Sequence, residues 1–576
     1  MKSPRARIAL ALVAVWAGLI LLHYPWRCLP YYWDEAGYYA LAALDFYRKA
    51  LLIPESTQKL GHTPLVPAFV GAAWRVLGLS PCRAREAMML VAAATLVATY
   101  ALGCRVAGRK VAAWSAALLA FSPLFFAQSS MLHIEIAPAL FITLAVLALL
   151  PRPELSARDD PGKRMAAFAL AASLAILSKE TSVILLPVAW AFAWRARREL
   201  ASTAPKARNV MLALAFPLAP LVAWAIYYHH ATGFWTGNAE YLRYNLYSTL
   251  TPARVLLTLA RRLYQLLIAG FDWILTVGAL LGVWWERREQ RARKGLPAPP
   301  SAAESGNAGQ AASPEISLAQ FASLDADLDE DAGSIGQKVR RALGEPEARA
   351  QPTEEQAKLS RDFLFLAGGL STVYIVFHSL VGGAVLRRYL LPVFPVFYLG
   401  AVTLAWKLPR KIAQAICTLA AVYFVAAWFI NPPYPFAFED NLAYADFVRL
   451  HQQAASYLEE HSAGSRILTA WPATGELTVP FLGYVSKPLR AVPVDGFTPD
   501  DFSAVRQDAF DLLYLYSRKW EPASNWLARS PILERLQERY FNYAPEMRDE
   551  VLVARYRLKL VQQYERRGQW VRIYSK

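Results

Sequence analysis

Apolar runs long enough to cross a bilayer recur along the first three quarters of this chain, and basic clusters separate them. A helix that crosses the hydrocarbon core needs about 20 mostly apolar residues. The runs are roughly this long, and 55% of all residues are hydrophobic. The pattern therefore predicts an α-helical polytopic membrane protein.

The first apolar run is interpreted as a retained helix. Ile8–Leu22 follows three basic residues, which is also the arrangement of a signal peptide. A cleavage site would need small residues after the run, but the chain continues with Tyr24-Pro25-Trp26-Arg27.

The basic clusters predict the orientation of the chain. The formal net charge is +16, and the cations concentrate in short loops, which indicates membrane orientation rather than nucleic-acid binding. The positive-inside rule places these loops in the cytoplasm, so the chain crosses the membrane an even number of times between neighbouring clusters. The result is about eleven spans, with a cytoplasmic N-terminus and an extracytoplasmic C-terminus. After the N-terminal cluster, the basic loops lie at residues 105–110, 152–164, 195–208, 287–294 and 407–411.

Two apolar runs are interpreted as hairpins because polar residues interrupt them. In the run from Met165 to Trp194, a single helix would bury Lys179 and Glu180 in the hydrocarbon, where charge is costly. Two short helices instead place both charges at an outer turn. Residues 111–150 show the same pattern, with His133 and Glu135 at the turn.

The membrane core is predicted to occupy residues 1–285 and 362–430. Its first extracytoplasmic loop, residues 26–83, contains interfacial helices at 36–52 and 65–77. The second of these helices is too short to cross a bilayer.

Two further regions lie outside the predicted core. Residues 286–361 carry too little apolar surface to fold and are predicted to be a disordered cytoplasmic linker, with a short helix at 335–343. Residues 431–576 alternate helices with strands at 466–470, 511–516, 558–563 and 570–574. This pattern predicts a small extracytoplasmic α/β domain.

Polar motifs gather on the predicted outer face. Asp34 and Glu35 follow the first span within an aromatic-rich stretch, and paired carboxylates at that depth indicate a functional site. The alternative is an interfacial loop whose acids face water. Cys28 and Cys82 would also both lie outside and could pair. The other outer motifs are His62, His133, Glu135, Lys179, Glu180, His229-His230 and Arg387-Arg388-Tyr389.

The order and shared side of these motifs resemble the GT-C glycosyltransferases that use polyprenyl-phosphate sugars. The resemblance is to a family 39-like group that includes protein O-mannosyltransferases and aminoarabinose transferases. It covers residues 8–235 well and residues 360–405 more loosely, and relatives often have Asp where this chain has Glu135. The motifs that carry it are Asp34-Glu35, Gly61-His62-Thr63-Pro64-Leu65, Phe121-Ser122-Pro123, Leu177-Ser178-Lys179-Glu180-Thr181 and Arg387-Arg388-Tyr389-Leu390-Leu391-Pro392.

The resemblance implies sugar transfer from a polyprenyl-phosphate donor to a lipid, glycan or protein acceptor, on the extracytoplasmic face of the plasma (inner) membrane. By resemblance, Asp34 is the catalytic base and Glu35 supports it. The leaving phosphate needs fixed positive charge, and the candidates are Lys179, Arg387 and Arg388 with the neighbouring Tyr389. Further substrate-site candidates are His62, His133, Glu135 and Glu180.

Alternatives remain open at this point. Arg387 and Arg388 could contact lipid headgroups, and Lys179 could form only a local ion pair. A lipid or solute transporter would also have many spans and buried charge, although transporters place such charge at the midplane. A non-catalytic membrane scaffold is the other rival. No cofactor is expected, and a divalent metal is left open because scattered histidines and acids are weak evidence for one.

Overall fold

Helices make up most of the chain outside its C-terminal domain. In the computed structural model, the described residues are 4–151, 160–196, 204–237, 239–247, 249–294, 353–520, 530–541 and 545–576. The first helices are α1 (Pro4–Leu22), α2 (Ala40–Lys49), α3 (Leu65–Leu77), α4 (Pro81–Val106), α5 (Arg109–Phe121), α6 (Pro123–Ser130), α7 (Ile136–Leu149), α8 (Pro161–Ser178) and α9 (Leu185–Arg195). They are followed by α10 (Ala204–Ala215), α11 (Leu218–Thr232), α12 (Ala239–Leu242), α13 (Pro252–Leu267), α14 (Trp273–Lys294), α15 (Glu354–Leu380), α16 (Phe394–Ala405) and α17 (Arg410–Ala427).

Several helices have the length and composition of membrane spans. Within the described part of the chain, 6 helices are long and apolar enough to cross a membrane, and α5 with α6, bent by 67°, raises the number to 7. The prediction of a multi-pass membrane protein is confirmed, whereas the number of about eleven spans stays a prediction. The six are Arg5–Leu22, Pro81–Val106, Val210–Thr232, Glu354–Leu380, Arg387–Ala405 and Arg410–Ala427.

Both predicted hairpins contain a break at their polar residues. Between α8 and α9, Lys179 is extended and a short 3₁₀ turn covers Glu180–Ile184. Between α6 and α7, residues 131–135 are not helical and include His133 and Glu135. The predicted break at the polar residues is therefore confirmed in both runs. The run from Met165 to Trp194 forms two main helices, whereas residues 111–150 form three rather than two, because α5 and α6 are separated by a 67° bend.

The predicted linker is wrong at both of its ends. Helix α14 continues to Lys294, and α15 begins at Glu354 with Thr353 as its N-cap, whose side chain accepts a hydrogen bond from Gln356 N at 3.3 Å. The physical reason is that Glu, Gln, Lys and Arg, which make these ends polar, are also strong helix formers. The helix predicted at residues 335–343 lies outside the described residues.

The first loop is compact and tied to the bundle. Its predicted helices are present as α2 and α3, which pack closely: a Cβ on Gly71 would lie 2.7 Å from the carbonyl oxygen of Ala43. Cys28 and Cys82 form a disulfide that joins the start of the loop to α4, so the candidate pairing is confirmed.

The C-terminal domain is a five-stranded sheet with helices. The strand order is β2-β1-β3-β5-β4, with β1 parallel to β2 and β3, and with β5 antiparallel to β3 and β4. The four predicted strands are confirmed, but β2 was not predicted because its Pro493 weakens the strand signal. The elements are α18 (Ala443–His461), β1 (Arg466–Ala470), α19 (Ala473–Thr478), β2 (Arg490–Val494), β3 (Leu512–Tyr516), α20 (Pro531–Phe541), α21 (Asp549–Tyr556), β4 (Lys559–Arg566) and β5 (Gln569–Ser575).

This domain packs on the first loop, at one end of the helical bundle that we call the domain end. Tyr484 donates a hydrogen bond from its hydroxyl to the Tyr31 carbonyl at 2.9 Å, and Tyr31 N donates to the Leu482 carbonyl at 3.3 Å. Gln128 in α6 also donates to the Glu439 carbonyl at 3.3 Å. The residues that follow α1 and α17 therefore meet at the domain end.

Candidate active site

A buried arginine at the domain end collects three carboxylates from distant parts of the chain. The Arg388 side chain is 2% exposed, and its Nη1 lies 2.8 Å from Glu439 Oε2. Its Nη2 contacts Asp34 Oδ2, and its Nε lies 3.7 Å from Glu135 Oε1. Because a buried charge needs partners, this arginine ties together the first loop, the turn before α7 and the segment after α17.

Asp34 is the accessible member of this group. Its side chain is 29% exposed, whereas the side chains of Glu135 and Glu439 are 1% and 4% exposed. Trp33, directly before it, has a φ of 43°, a left-handed conformation that is unfavourable for a bulky residue and that concentrates at functional sites. Asp34 is thus the carboxylate of this cluster that a substrate can reach.

Glu35 points elsewhere, although it is adjacent in sequence. Its side chain is fully buried and pairs with Arg85 at 3.0 Å. It also accepts hydrogen bonds from Tyr32 N at 2.9 Å and from Leu132 N at 2.6 Å. These contacts attach the first loop to the turn before α7, so Glu35 has the position of a structural anchor rather than of a group that faces substrate.

Cations surround the ring of Tyr389. Lys179 Nζ lies 4.4 Å from the ring centroid and 2.9 Å from Glu135 Oε1, and the Arg262 guanidinium lies 5.5 Å from the same centroid. Burial by itself raises the pKa of Glu135, but the attraction of Lys179 and Arg388 outweighs it and lowers the pKa to about 2. The carboxylate is therefore ionised and holds Lys179 in place.

Arg262 comes from a helix whose polar side faces the protein. In α13, Arg254, Thr258, Arg262 and Gln265 are buried, while Leu256 is 66% exposed. The spacing of three and four residues puts the buried polar side chains on one face of the helix. Arg262 donates from Nη1 to Gln265 Oε1 at 2.9 Å, and its buried Nη2 has no hydrogen-bond partner within the described part of the chain.

Arg387 does not join the site. Arg387 and Arg388 begin the 3₁₀ segment Arg387–Val393, where three residues make a turn and adjacent side chains point about 120° apart. Arg387 therefore reaches Asp272 instead, at 2.5 Å, and Asp272 also accepts from the Tyr398 hydroxyl at 2.5 Å. The prediction that Arg387 binds phosphate does not fit this geometry.

The two predicted histidines flank Tyr39. His62 lies 3.1 Å from Glu180 Oε1, and its ring centroid is 6.4 Å from that of Tyr39. The ring centroid of His133 lies 5.9 Å from that of Tyr39, and His133 Nδ1 contacts Gln128 Oε1 at 2.8 Å. No three His, Cys, Asp or Glu side chains converge on a metal position in the regions that the structure describes.

Three residues of this region were not predicted: Arg85, Arg262 and Glu439. Glu439 did carry a signal, since Glu439 and Asp440 follow α17 just as Asp34 and Glu35 follow α1. Burial raises the pKa of Glu439, and the attraction of Arg388 opposes this rise. Arg85 and Arg262 resemble ordinary interfacial cations in the sequence, and only the packing identifies their partners.

Two kinds of known protein are similar to this chain, one over part of the helical core and one over nearly its whole length. A family model described as dolichyl-phosphate-mannose-protein mannosyltransferase matches residues 61–224. The chain is similar to ArnT from Cupriavidus metallidurans in the apo state, with a TM-score of 0.50 and 12% identity over 98% of each chain. The same protein bound to undecaprenyl phosphate gives a TM-score of 0.50 and 12% identity over 99% of this chain and 97% of that one.

A more distant likeness is to the Archaeoglobus fulgidus oligosaccharyltransferase in complex with zinc and sulfate. Its TM-score is 0.40 with 12% identity, over 88% of this chain and 67% of that one. A search of curated proteins found no match.

The fold and the family match define a membrane glycosyltransferase of the GT-C class. The family model that matches residues 61–224 agrees with the family 39-like resemblance of the motifs. The predicted fold class and enzyme class are confirmed, and the transporter and scaffold alternatives are not adopted.

Proposed function

We propose that this protein transfers a sugar from a polyprenyl-phosphate donor to an acceptor at the domain end of its helical bundle. The observation that carries the proposal is the partly exposed Asp34 carboxylate, which Arg388 contacts close to the cations around Tyr389. Two similarities support this class of donor. The matching family model is described as a dolichyl-phosphate-mannose-protein mannosyltransferase, and ArnT has been crystallised with undecaprenyl phosphate. The acceptor is a lipid, a glycan or a protein.

Asp34 is the proposed general base. An acceptor hydroxyl must lose a proton as it attacks the anomeric carbon, and a positioned carboxylate can take that proton. Arg388 contacts Oδ2, the one oxygen of this carboxylate with a side-chain partner among the described residues, so Oδ1 remains available to the acceptor. Glu135 and Glu439 hold Arg388 in turn, which fixes the direction of the Asp34 side chain.

Lys179 is the proposed principal contact to the leaving phosphate, with Arg262 close by. Phosphate departure builds negative charge, and fixed cations stabilise it. Lys179 has a single carboxylate partner, whereas Arg388 already contacts three. Arg262 adds a guanidinium whose Nη2 has no partner within the described chain. This geometry favours Lys179 over Arg388 and Arg387 as the phosphate contact.

The proposed location is the extracytoplasmic face of the plasma (inner) membrane. The short basic loops support this orientation, because loops rich in Lys and Arg lie on the cytoplasmic side of a membrane. The polar motifs lie at the opposite ends of the predicted spans. The disulfide at the domain end supports it as well, since disulfides persist in oxidising compartments.

The proposal is tested with full-length protein in nanodiscs and a polyprenyl-phosphate hexose as donor. A deletion strain first identifies the acceptor, by mass spectrometry of envelope lipids, glycans and proteins. Asp34→Asn should then bind donor normally but transfer sugar about 10²–10⁴-fold more slowly, the usual effect of removing a general base.

The matched control is Asp508→Asn, because Asp508 also pairs with an arginine, Arg506 at 3.0 Å, but on the exposed surface of the C-terminal domain. This control should transfer like the wild type. Near-wild-type transfer by a well-folded Asp34→Asn protein would refute the assignment of the base.

A further inference from the structure

Two tryptophans meet beside Asp34, one from each part of the protein. Trp33 belongs to the first loop, and Trp471 follows β1 in the C-terminal domain. Their ring centroids are 5.2 Å apart and their planes are at 83°, an edge-to-face pair. Trp471 is nevertheless 37% exposed, so part of its indole is accessible from solvent.

The first loop is shaped to receive the Trp471 indole. A Cβ on Gly37 would lie 2.5 Å from Trp471 Cζ2, closer than any side chain allows. Gly37 is three residues after Asp34, and it follows the buried Glu35 and Ala36. Glycine at this position therefore lets the indole lie directly against the loop that carries the proposed base.

The strained backbone of Trp33 is held by the same contacts. A tryptophan with a φ of 43° persists only where the surrounding structure stabilises it. The Trp33 ring packs edge to face on Phe447 of α18 at 5.7 Å as well as on Trp471. Its conformation turns the indole toward the C-terminal domain while the next residue, Asp34, contacts Arg388.

We propose that Trp33 and Trp471 form a stacking subsite for a pyranose ring, with Trp471 as a specificity-determining residue; this rests on the sugar transfer proposed above. An indole face carries negative charge density that attracts the partly positive C–H bonds on one face of a pyranose. The neighbouring Asp34 carboxylate can accept hydrogen bonds from the hydroxyls of the same ring. An exposed indole that packs on Trp33, next in sequence to the partly exposed Asp34, thus matches a sugar better than it matches an apolar chain.

The ring could belong to the donor sugar or to a glycan acceptor, because both present the same chemistry. Binding is therefore measured on full-length protein in nanodiscs with three probes: undecaprenyl phosphate, undecaprenyl-phosphate mannose, and mannotriose added to protein preloaded with undecaprenyl phosphate. Trp471→Ala should leave the affinity for undecaprenyl phosphate unchanged. It should weaken binding of the mannose-bearing lipid, or of mannotriose, by about 2- to 12-fold, the range expected for one lost aromatic contact.

The affected probe identifies the source of the ring. Weaker binding of the mannose-bearing lipid assigns the subsite to the donor sugar, and weaker binding of mannotriose assigns it to the acceptor. Trp471→Phe keeps an aromatic face and should retain most of the affinity, which separates stacking from misfolding. The control is Trp194→Ala, since Trp194 is 70% exposed but lies near the end of α9 that is remote from Lys179.

Two results would overturn the inference in distinguishable ways. Wild-type affinity of Trp471→Ala for all three probes would remove the subsite and leave the proposed function intact. Failure of the wild-type protein to bind either lipid would instead refute the proposed function, and the subsite with it.

Discussion

The buried ion pair of Glu35 and Arg85 is expected to stabilise the protein rather than to take part in sugar transfer. Both side chains are fully buried, 3.0 Å apart, and Glu35 also accepts two backbone hydrogen bonds. Glu35→Gln removes the negative charge and leaves the Arg85 guanidinium without a counterion. Removing one partner of a buried ion pair typically costs about 3–5 kcal/mol, because the remaining charge stays desolvated.

The expected result is a loss of stability rather than a specific loss of chemistry. Glu35→Gln should lower the apparent melting temperature of the purified protein. The measurement is the fraction that remains monodisperse in size-exclusion chromatography after heating. Glu35→Gln with Arg85→Met should recover much of the loss, since the double change leaves no unpaired charge. Asp34→Asn is the matched comparison, and it should melt closer to the wild type because Arg388 keeps Glu135 and Glu439 as partners.

The opposite pattern would refute this reasoning. If Glu35→Gln melts with the wild type but loses more sugar transfer than Asp34→Asn, Glu35 is the chemical group and the two acids exchange roles. A double variant no more stable than Glu35→Gln would show that the backbone hydrogen bonds to Glu35, and not the ion pair, carry its contribution.

Further predictions concern the cations and the topology. Lys179→Ala should weaken binding of undecaprenyl phosphate in nanodiscs by about 1.5–3 kcal/mol, the value of a hydrogen bond to a charged group; unchanged affinity would move the phosphate site elsewhere. Arg387→Ala should leave that affinity unchanged but destabilise the protein by about 3–5 kcal/mol, because it leaves Asp272 buried and unpaired. A large loss of affinity would restore Arg387 as a ligand. Reporter fusions at Gly306 and Ser462 should lie on opposite sides of the membrane, and fusions on one side would contradict the hairpin scheme.

Local physical costs made much of the helical core predictable from the sequence. A charged pair in the hydrocarbon is so unfavourable that Lys179 and Glu180 predicted a break in their run, and the structure has it there. Strands in the C-terminal domain followed from short runs of β-branched and aromatic residues, except where Pro493 obscured β2. The linker ends were mispredicted because their polar residues are compatible with both disorder and helix.

The candidate site was predictable only as a shared face. Hydropathy and charge placed Asp34, Glu135, Lys179 and Arg388 on one side of the membrane, but no periodicity within the sequence indicates that their side chains touch. Glu439 comes from beyond the last span and completes the cluster only because the C-terminal domain packs on the first loop.

Only the tertiary structure shows which member of two pairs of adjacent, chemically similar residues lies in the candidate site. Asp34 and Glu35 are adjacent acids, and Arg387 and Arg388 are adjacent arginines, so composition and position cannot separate the members of either pair. Successive side chains in a helical turn point in different directions. Asp34 and Arg388 therefore contact each other in the candidate site. Their neighbours are buried against partners that are distant in sequence: Glu35 against Arg85, and Arg387 against Asp272.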